Sequence, residues 1–255
     1  MNGIDADDRG FTLGHGLFET VLFEHGAFAH WDAHLARLAR GANVLGLPAP
    51  AADGCRRAAE AALAEAGAPD RAAVRVNWTA GSGGRGLDAP DEIKPRLVVR
   101  AYPAAASDAP MTLATAHVRR NDRSPASRLK TLAYLDNVLA RAQARAAGAD
   151  EALMLNTAGE VACAAAANLF WLEGEVVCTP ALDCGVLEGV IRGQVLATCA
   201  RLGVAVHEAR ATPQALAGRP LFVTNSLIGV KPVAKLDGAD LPGSALIERL
   251  RREVA

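Results

Sequence analysis

The sequence lacks an excess of charge of either sign and lacks long apolar runs, and each absence excludes a class of protein. Its 255 residues carry 27 Lys and Arg against 28 Asp and Glu, so neither nucleic acid nor an anionic membrane is predicted as a partner. No charge-free apolar run reaches the ~18 residues that a membrane-spanning helix needs, and the acidic start MNGIDADDRG does not resemble a secretory signal. The length allows one large domain or two small ones.

Paired cysteines are also missing, and lysine is scarce. The five cysteines are odd in number and never form C-x-x-C, so we expect no disulfide framework and no metal site, and we predict a reducing cytoplasm as the compartment. Only four of the 27 basic residues are lysines, namely Lys94, Lys130, Lys231 and Lys235. Because an amine forms a Schiff base and a guanidinium does not, a lysine retained in an arginine-rich chain is a candidate for covalent chemistry.

Helix and strand patterns alternate in two blocks. The first block predicts a hairpin at residues 17–30, helices at 31–46 and 55–66, and strands at 73–79 and 96–102. The second predicts strands at 111–117, 151–156, 168–172, 175–178 and 221–224, and helices at 132–147 and 187–202. Prolines bound a linker at residues 103–110. We therefore predict an α/β or α+β protein with a small N-terminal lobe, residues 1–104, and a larger C-terminal lobe, residues 111–255.

Lys130 lies where the basic, polar segment S-R-L-K-T-L meets the predicted helix at residue 132. One interpretation is a helix-entry residue with its amine in water. The other is a desolvated amine that attacks a carbonyl group. The local pattern leaves both interpretations open.

The segment L-E-G-V-I-R at residues 187–192 begins another predicted helix with a glycine. Free backbone N–H groups and the positive end of the helix dipole would suit a phosphate there, around Leu187, Gly189, Val190 and Ile191. The alternative is a helix that merely starts with a flexible residue.

Three more polar groups could bind an anion or another polar ligand. His34 and Arg37 lie one turn apart on a predicted helix, where they could bind a ligand or stay solvated. Arg85, in the glycine-rich loop of residues 81–86, could pair with a substrate carboxylate, although a flexible hairpin connection explains the glycines equally well. Asn225 and Ser226 end an apolar strand, where they could bind a ligand or cap a turn.

In this order and spacing, the segments resemble the class IV, or fold type IV, pyridoxal-phosphate enzymes. These are the branched-chain and D-amino acid aminotransferases and aminodeoxychorismate lyase. The matching motifs are D-R-G-F-T-L-G-H-G-L-F-E-T at residues 8–20, H-L-A-R-L at 34–38, A-N-L-F at 167–170, L-E-G-V-I-R at 187–192 and T-N-S at 224–226, together with Lys130. His15 stands where the family usually has Asp. The resemblance covers nearly the whole chain.

The resemblance implies a homodimer that binds pyridoxal phosphate and a small-molecule substrate between two lobes. Lys130 would form the Schiff base and then move protons, while Arg37, the N–H groups of Val190 and Ile191, and Ser226 would hold the phosphate. The full set assigned to the cofactor is Arg37, Lys130, Cys163, Leu187, Gly189, Val190, Ile191 and Ser226. Arg85 and Asn225 are the predicted substrate-binding residues.

Three segments are similar to those of aminodeoxychorismate lyases: G-S-G-G-R-G-L at residues 81–87, A-A-N-L-F-W at 166–171 and F-V-T-N-S-L at 222–227. The predicted reaction is therefore conversion of 4-amino-4-deoxychorismate to 4-aminobenzoate and pyruvate, a step toward folate. A branched-chain or D-amino acid aminotransferase is the first alternative. A cofactor-binding paralogue with weakened activity is the second.

Cys163 departs from the family pattern. The family places a Glu about 33 residues after the Schiff-base lysine, paired with the pyridine nitrogen, and Cys163 occupies that position here. A thiol, with a pKa of ~8.5 in water, is a poor substitute for a carboxylate. Glu160 lies an odd number of residues away, so on a strand it faces the opposite side. We hypothesise that Cys163 biases the site toward elimination.

Overall fold

Residues 4–254 are described by the computed structural model of the protein. Residues 1–3 and 255, at the outer ends of the two predicted lobes and of the acidic start, lie outside the described residues. The chain divides into two units. The N-terminal unit comprises the residues up to Ala106 together with Leu129–Ala133, and the C-terminal unit comprises Ser107–Arg128 and the residues from Tyr134 onward. The predicted lobe boundaries, which give residues 129–133 to the second lobe, stay a prediction.

The N-terminal unit holds one antiparallel sheet and three helices. In chain order its elements are α1 (Arg9–Leu13), β1 (Gly16–Glu24), β2 (Ala27–Phe28), α2 (Trp31–Val44), α3 (Ala52–Glu65), β3 (Arg71–Thr79) and β4 (Arg96–Pro103). The strand order is β2-β1-β3-β4. The predicted hairpin forms, with Glu24 opposite Ala27. Alternate β3 residues Val74 and Val76 face a core with Leu38 of α2 and Leu63 of α3, as the two periodicities predict.

The C-terminal unit is built on a larger mixed sheet. Its elements are β5 (Met111–Arg120), α4 (Pro125–Arg128), α5 (Leu135–Ala146), β6 (Glu151–Asn156), β7 (Val161–Ala164), β8 (Asn168–Glu173), β9 (Val176–Pro180), α6 (Val190–Leu202), β10 (Val206–Ala209), β11 (Leu221–Asn225), β12 (Gly229–Leu236), β13 (Ala239–Asp240) and α7 (Ala245–Glu253). The strand order is β10-β9-β8-β11-β12-β5-β6-β7, with β13 beside β12. Central strands such as β6 and β8 are buried on both faces, which explains their continuous apolar runs.

Two apolar layers cover the two faces of this sheet. On one face, Phe170 and Phe222 stack with ring centroids 4.7 Å apart, beneath Val195 of α6 and Leu250 of α7. The other face buries Trp171 among leucine and valine side chains. This packing holds β11, at whose end the predicted site residues Asn225 and Ser226 lie.

Some element boundaries differ from the sequence prediction. The helix predicted from residue 132 begins at Leu135, and the helix predicted from residue 187 begins at Val190. The strand predicted to end at residue 117 continues to Arg120. Strands β7, β10, β12 and β13 and helices α1, α4 and α7 were not predicted. Most of these are short, and β12 contains a proline and two lysines that weaken its strand pattern.

Candidate functional site

Lys130 lies in a turn whose backbone is hydrogen-bonded to β1, and not at the entry of a helix. The N–H of Phe18 donates to the Lys130 carbonyl oxygen at 2.8 Å, and the N–H of Leu132 donates to the Gly16 carbonyl at 3.0 Å. Strand β2 is only two residues long and pairs with the last two residues of β1. The edge of β1 near Leu17 is therefore not covered by β2, and the segment that contains Lys130 pairs there. The helix-entry interpretation of Lys130 is therefore wrong, because pairing with β1 overrides the helical pattern of T-L-A.

A glycine on β1 allows this close approach. A Cβ atom at Gly16 would lie 2.7 Å from the Leu132 side chain and 2.6 Å from the Trp78 carbonyl oxygen. A larger residue would clash with the β3 backbone and would force the Leu132 side chain to move. The glycine of the motif at residues 8–20 thus has a packing role on both sides of β1.

The amine of Lys130 lies over an aromatic ring that a second cation also contacts. Lys130 Nζ is 4.4 Å from the centroid of the buried Phe18 ring, and the Arg75 guanidinium carbon is 3.7 Å from the same centroid. Both are cation–π distances. Arg75, on β3, was not predicted as a site residue, although an arginine on a strand that pairs with the F-E-T strand was a usable signal. Two cations on one ring favour an anionic ligand nearby.

Arg37 and His34 are joined by a carboxylate that the sequence analysis missed. Glu19 accepts hydrogen bonds from Arg37 Nε at 2.8 Å and Nη2 at 2.5 Å, and its Oε2 lies 2.7 Å from His34 Nδ1. Glu19 and His34 are each 1% exposed and Arg37 is 11% exposed, so the solvated interpretation of His34 and Arg37 is wrong. Burial alone would raise the pKa of Glu19, but the hydrogen bonds from Arg37 and His34 outweigh it and lower that pKa.

The glycine-rich loop between β3 and β4 exposes Arg85. Backbone N–H groups of Arg85 and Asp88 donate to each other's carbonyl oxygens, so the loop tip is a tight turn. Arg85 is exposed, and its assignment to a substrate carboxylate stays a prediction. The loop is thus the predicted hairpin connection, but it is held by contacts that a flexible connection would lack.

In the C-terminal unit, the start of α6 lies against the ends of β8 and β11. Gly189 is the N-cap of the 13-residue helix α6 and provides no capping side chain for the N–H groups that follow. Asn168 Nδ2 donates to the Leu187 carbonyl at 2.8 Å. A Cβ atom at Gly189 would lie 2.0 Å from Asn168 Oδ1. Glycine is therefore required here by close packing, and the interpretation of a merely flexible residue is wrong.

Two polar residues at the end of β11 have different surroundings. Thr224 lies next to Asn168, and Asn225 shapes the turn after the strand. Thr224 pairs with Asn168 across the strands, and its buried Oγ1 has no hydrogen-bond partner among residues 4–254. Asn225 Nδ2 donates to the Ala166 carbonyl, while its Oδ1 accepts from the N–H groups of Leu227 and Ile228. Asn225 thus shapes the turn that contains the half-buried Ser226. Ligand roles for Asn225 and Ser226 stay predictions.

Cys163 lies in an apolar environment on β7, opposite Met154 of β6. Burial raises the pKa of its thiol, the Glu151 carboxylate raises it further, and the Arg120 guanidinium opposes the shift. The thiol is therefore neutral near pH 7. Glu160 pairs with Arg210 at 2.7 Å, so its carboxylate is already engaged.

The sequence profile of the family described as amino-transferase class IV matches residues 16–236 of the chain. The chain belongs to the class IV aminotransferase family. Its relatives include an aminodeoxychorismate lyase of Vibrio harveyi, 28% identical over 258 residues, which are 97% of this chain and 94% of the relative. A D-alanine aminotransferase of Bacillus licheniformis is 23% identical over 244 residues, which are 95% of this chain and 86% of that protein.

A solved structure supports the same assignment. The Legionella pneumophila protein provisionally named 4-amino-4-deoxychorismate lyase superimposes with a TM-score of 0.91 and 27% identity, over 98% of this chain and 93% of that one. These matches confirm the predicted family and fold class, and they make the protein a member of an enzyme family. Its relatives include both lyases and aminotransferases.

The predicted cofactor residues of this class IV protein fall in both units. Lys130 and Arg37 belong to the N-terminal unit, and the remaining six, Cys163, Leu187, Gly189, Val190, Ile191 and Ser226, belong to the C-terminal unit. Over residues 4–254, no group of three or more His, Cys, Asp or Glu side chains is arranged to hold a metal ion. Within the same range, no helix combines the length and apolar character needed to cross a bilayer.

Proposed function

We propose that the protein binds pyridoxal phosphate, with Lys130 as the Schiff-base lysine and with the start of α6 and Arg37 as candidate phosphate-binding groups. The uncapped N–H groups at the start of α6 suit a phosphate. Gly189 allows this helix start to pack closely against Asn168, since a Cβ there would lie 2.0 Å from Asn168 Oδ1. Arg37, oriented by Glu19, is a second candidate, because its guanidinium also suits a phosphate. These residues fit the cofactor, and Cys163 is the one position at which the family's carboxylate is absent.

The chain's own residues would then carry the following roles. When bound, pyridoxal phosphate supplies the electron sink for bond breaking in an amine substrate. Lys130 Nζ would accept a proton from the substrate and return it, as the general base and acid of the reaction. The Phe18 ring and Arg75 would orient that amine. Cys163, as a neutral thiol, would offer only a weak hydrogen bond to the pyridine nitrogen.

We infer further that the substrate is 4-amino-4-deoxychorismate and that the products are 4-aminobenzoate and pyruvate. The observation that carries this inference is the G-S-G-G-R-G loop at residues 81–86. It is an ordered turn in which glycines pack closely against neighbouring backbone and in which Arg85 is exposed. A cation presented on an ordered loop suits a substrate with carboxylate groups. The similarity to a lyase of Vibrio harveyi over nearly the full length supports the same substrate.

An assay without any 2-oxo acid tests the lyase proposal. The purified, cofactor-loaded protein is mixed with aminodeoxychorismate, and pyruvate is followed with lactate dehydrogenase while 4-aminobenzoate is followed by fluorescence. We expect equal amounts of the two products from the native protein and neither product from Lys130→Arg. Amino-group transfer that requires 2-oxoglutarate or pyruvate, with no 4-aminobenzoate, would replace the lyase proposal with the aminotransferase alternative, which relatives such as the D-alanine aminotransferase favour.

The homodimer and the cytoplasmic location stay predictions. One surface supports the homodimer: Leu135, Val138 and Leu139 are exposed large apolar residues on a single face of α5. Leu139→Glu is expected to shift the protein toward a monomer in size-exclusion chromatography with light scattering. Gln143→Glu is the matched control, because it adds the same charge at an exposed polar position of the same helix and keeps the side-chain oxygen that accepts from the His117 N–H.

A further inference from the structure

Arg9 is a buried arginine whose guanidinium is surrounded by carbonyl oxygens of the glycine-rich loop. Its Nη1 donates to the carbonyls of Asp88 at 3.0 Å, Gly83 at 3.3 Å and Gly86 at 3.3 Å, and its Nη2 donates to the Leu87 carbonyl at 3.0 Å. Arg9 itself is 4% exposed. One side chain therefore provides hydrogen bonds for four backbone groups of residues 83–88.

The base of the loop is fixed by the neighbouring residue. The buried carboxylate of Asp8 accepts hydrogen bonds from Thr79 Oγ1 at 2.8 Å and from the Gly10 N–H at 2.7 Å. The Arg9 N–H donates to the Gly81 carbonyl at 2.9 Å. Together, Asp8 and Arg9 tie the start of α1 to the end of β3 and to the loop that follows it.

Two side chains of the loop are exposed although its carbonyls bind Arg9. Arg85 is exposed and Leu87 is 86% exposed. A cationic and a large apolar side chain are thus presented two residues apart. That pair matches a ligand in which a carboxylate is attached to an apolar ring.

The glycines show how closely the loop fits around Arg9. Gly84 has a φ of +80°, and a Cβ there would lie 2.2 Å from the Asp88 carbonyl oxygen and 3.0 Å from Arg9 Nη1. Gly86 has a φ of +59°, but a Cβ there would meet nothing within 4 Å. The two positions share a left-handed backbone and differ in whether a side chain would disturb Arg9.

We propose that Arg9 is a positioning residue that holds residues 83–88 in the conformation in which Arg85 and Leu87 contact a ring-bearing carboxylate substrate. The part that concerns Arg85 rests on the function proposed above. A guanidinium is suited to this task because its planar fork of five N–H donors serves several carbonyls at once, whereas a lysine ammonium provides a single compact donor group.

Limited trypsin digestion of the cofactor-loaded protein tests the loop conformation without any measurement of activity. Trypsin cleaves after Arg and Lys but not before Pro, and residues 80–95 offer one such bond, Arg85–Gly86, because Lys94 precedes Pro95. Mass spectrometry of the fragment ending at Arg85 gives the cleavage rate. We expect Arg9→Lys and Gly84→Ala to raise that rate at least about ten-fold, and Gly86→Ala to raise it far less.

Steady-state kinetics on two of these variants, and on a variant of Arg85 itself, then tests whether the loop binds the substrate. Arg9→Lys, Gly84→Ala and Arg85→Gln are expected to raise KM about ten-fold with kcat changed less than about two-fold, the loss typical of one charge-assisted hydrogen bond. Unchanged cleavage in both Arg9→Lys and Gly84→Ala overturns the positioning role. If Arg9→Lys and Gly84→Ala are cleaved faster but KM is unchanged in them and in Arg85→Gln, the loop has no role in substrate binding. The product assay then still decides the lyase reaction itself.

Discussion

Glu19 binds Arg37 through both carboxylate oxygens, with Oε1 2.8 Å from Nε and Oε2 2.5 Å from Nη2. Because the carboxylate is buried and also contacts His34, it fixes the guanidinium in one orientation before any ligand arrives. A bidentate pair of this kind restricts the rotamers of the arginine, so the entropy of ordering it is lost in folding and not in binding.

Replacing Glu19 with Gln should destabilise the protein and weaken cofactor binding. The change leaves a largely buried guanidinium without its carboxylate, which costs about 3–5 kcal/mol in the free energy of unfolding. Urea unfolding and titration with pyridoxal phosphate measure the two effects. Glu24→Gln on the same strand removes the partially exposed pair with Arg71 and should cost no more than about 1 kcal/mol. Equal losses for the two variants would refute the special role of Glu19.

Acid should destabilise the protein partly through Glu19. The pKa of Glu19 is lowered in the folded state, so the unfolded chain binds its proton at a higher pH than the folded one does. The contribution of Glu19 to stability is therefore complete above its ordinary pKa of about 4.3 and is lost as the pH falls below that value through the folded pKa. Urea unfolding between pH 6 and pH 3 should show a shallower decline for Glu19→Gln than for the native protein. Parallel declines would contradict this assignment.

Replacing Lys130 with Arg should abolish the covalent bond to the cofactor while keeping a cation over the Phe18 ring. The long-wavelength absorption band of the Schiff base, and its loss on borohydride reduction, are expected in the native protein and not in the variant. Turnover should fall by at least about 10²–10⁴-fold because the general acid–base group is also removed. Lys94→Arg, at an exposed lysine paired with Glu92, is the matched control. If Lys130→Arg kept an absorption band that borohydride removes, the Schiff base would have to be assigned to another lysine.

Two glycines close to each other in sequence should respond in opposite ways to alanine. Gly189→Ala places a Cβ against Asn168 Oδ1 and should weaken both stability and cofactor affinity. Gly193→Ala lies in the exposed interior of α6 with nothing within 4 Å, and should stabilise the helix by about 0.5–1 kcal/mol. Thermal unfolding with and without pyridoxal phosphate separates the two effects. If both variants gained stability, the close packing at Gly189 would be disproved.

Restoring a carboxylate at residue 163 should change the balance between elimination and amino transfer. Cys163→Glu is expected to increase amino transfer relative to lyase turnover, because a carboxylate near the pyridine nitrogen favours its protonated form. Cys163→Gln has the same size without the charge and should not produce this increase. Both rates are measured on the same preparations, with cofactor content as a check on folding. Unchanged rates in Cys163→Glu would reject the hypothesis that Cys163 biases the reaction.

The sequence was sufficient to predict those helices and strands in which the spacing of apolar residues matches the buried face. Helix α2 and strand β1 each show one apolar pattern, and both lie close to their predicted bounds. The family and the glycine at the start of α6 were also predictable, because their motifs are local in sequence. Short or polar elements such as β12 escaped prediction because partners distant in the sequence stabilise them.

The least predictable features were the contacts between segments far apart in the chain. Nothing in the sequence around Lys130 indicates that residues 129–133 would fill the free edge of β1, because the length of β2 decides whether that edge is free. The pairing of Glu19 with Arg37 and the fit of Arg9 into residues 83–88 depend in the same way on tertiary placement. The family motifs include several of these residues but do not show which of them contact each other.

The placement of residues 129–133 also has a consequence for how the protein is made. Phe18 and Lys130 are hydrogen-bonded but lie 112 positions apart (130 less 18). At a synthesis rate of about 5–20 residues per second, the β1 edge leaves the ribosome roughly 6–22 s before its partner. Strands β2, β3 and β4 are synthesised in that interval, so the whole N-terminal sheet is made before the segment that fills its edge. A nascent chain that stops before Leu129 therefore carries Arg37 and the glycine-rich loop but lacks Lys130, so we expect a prematurely terminated product to form no Schiff base at this position.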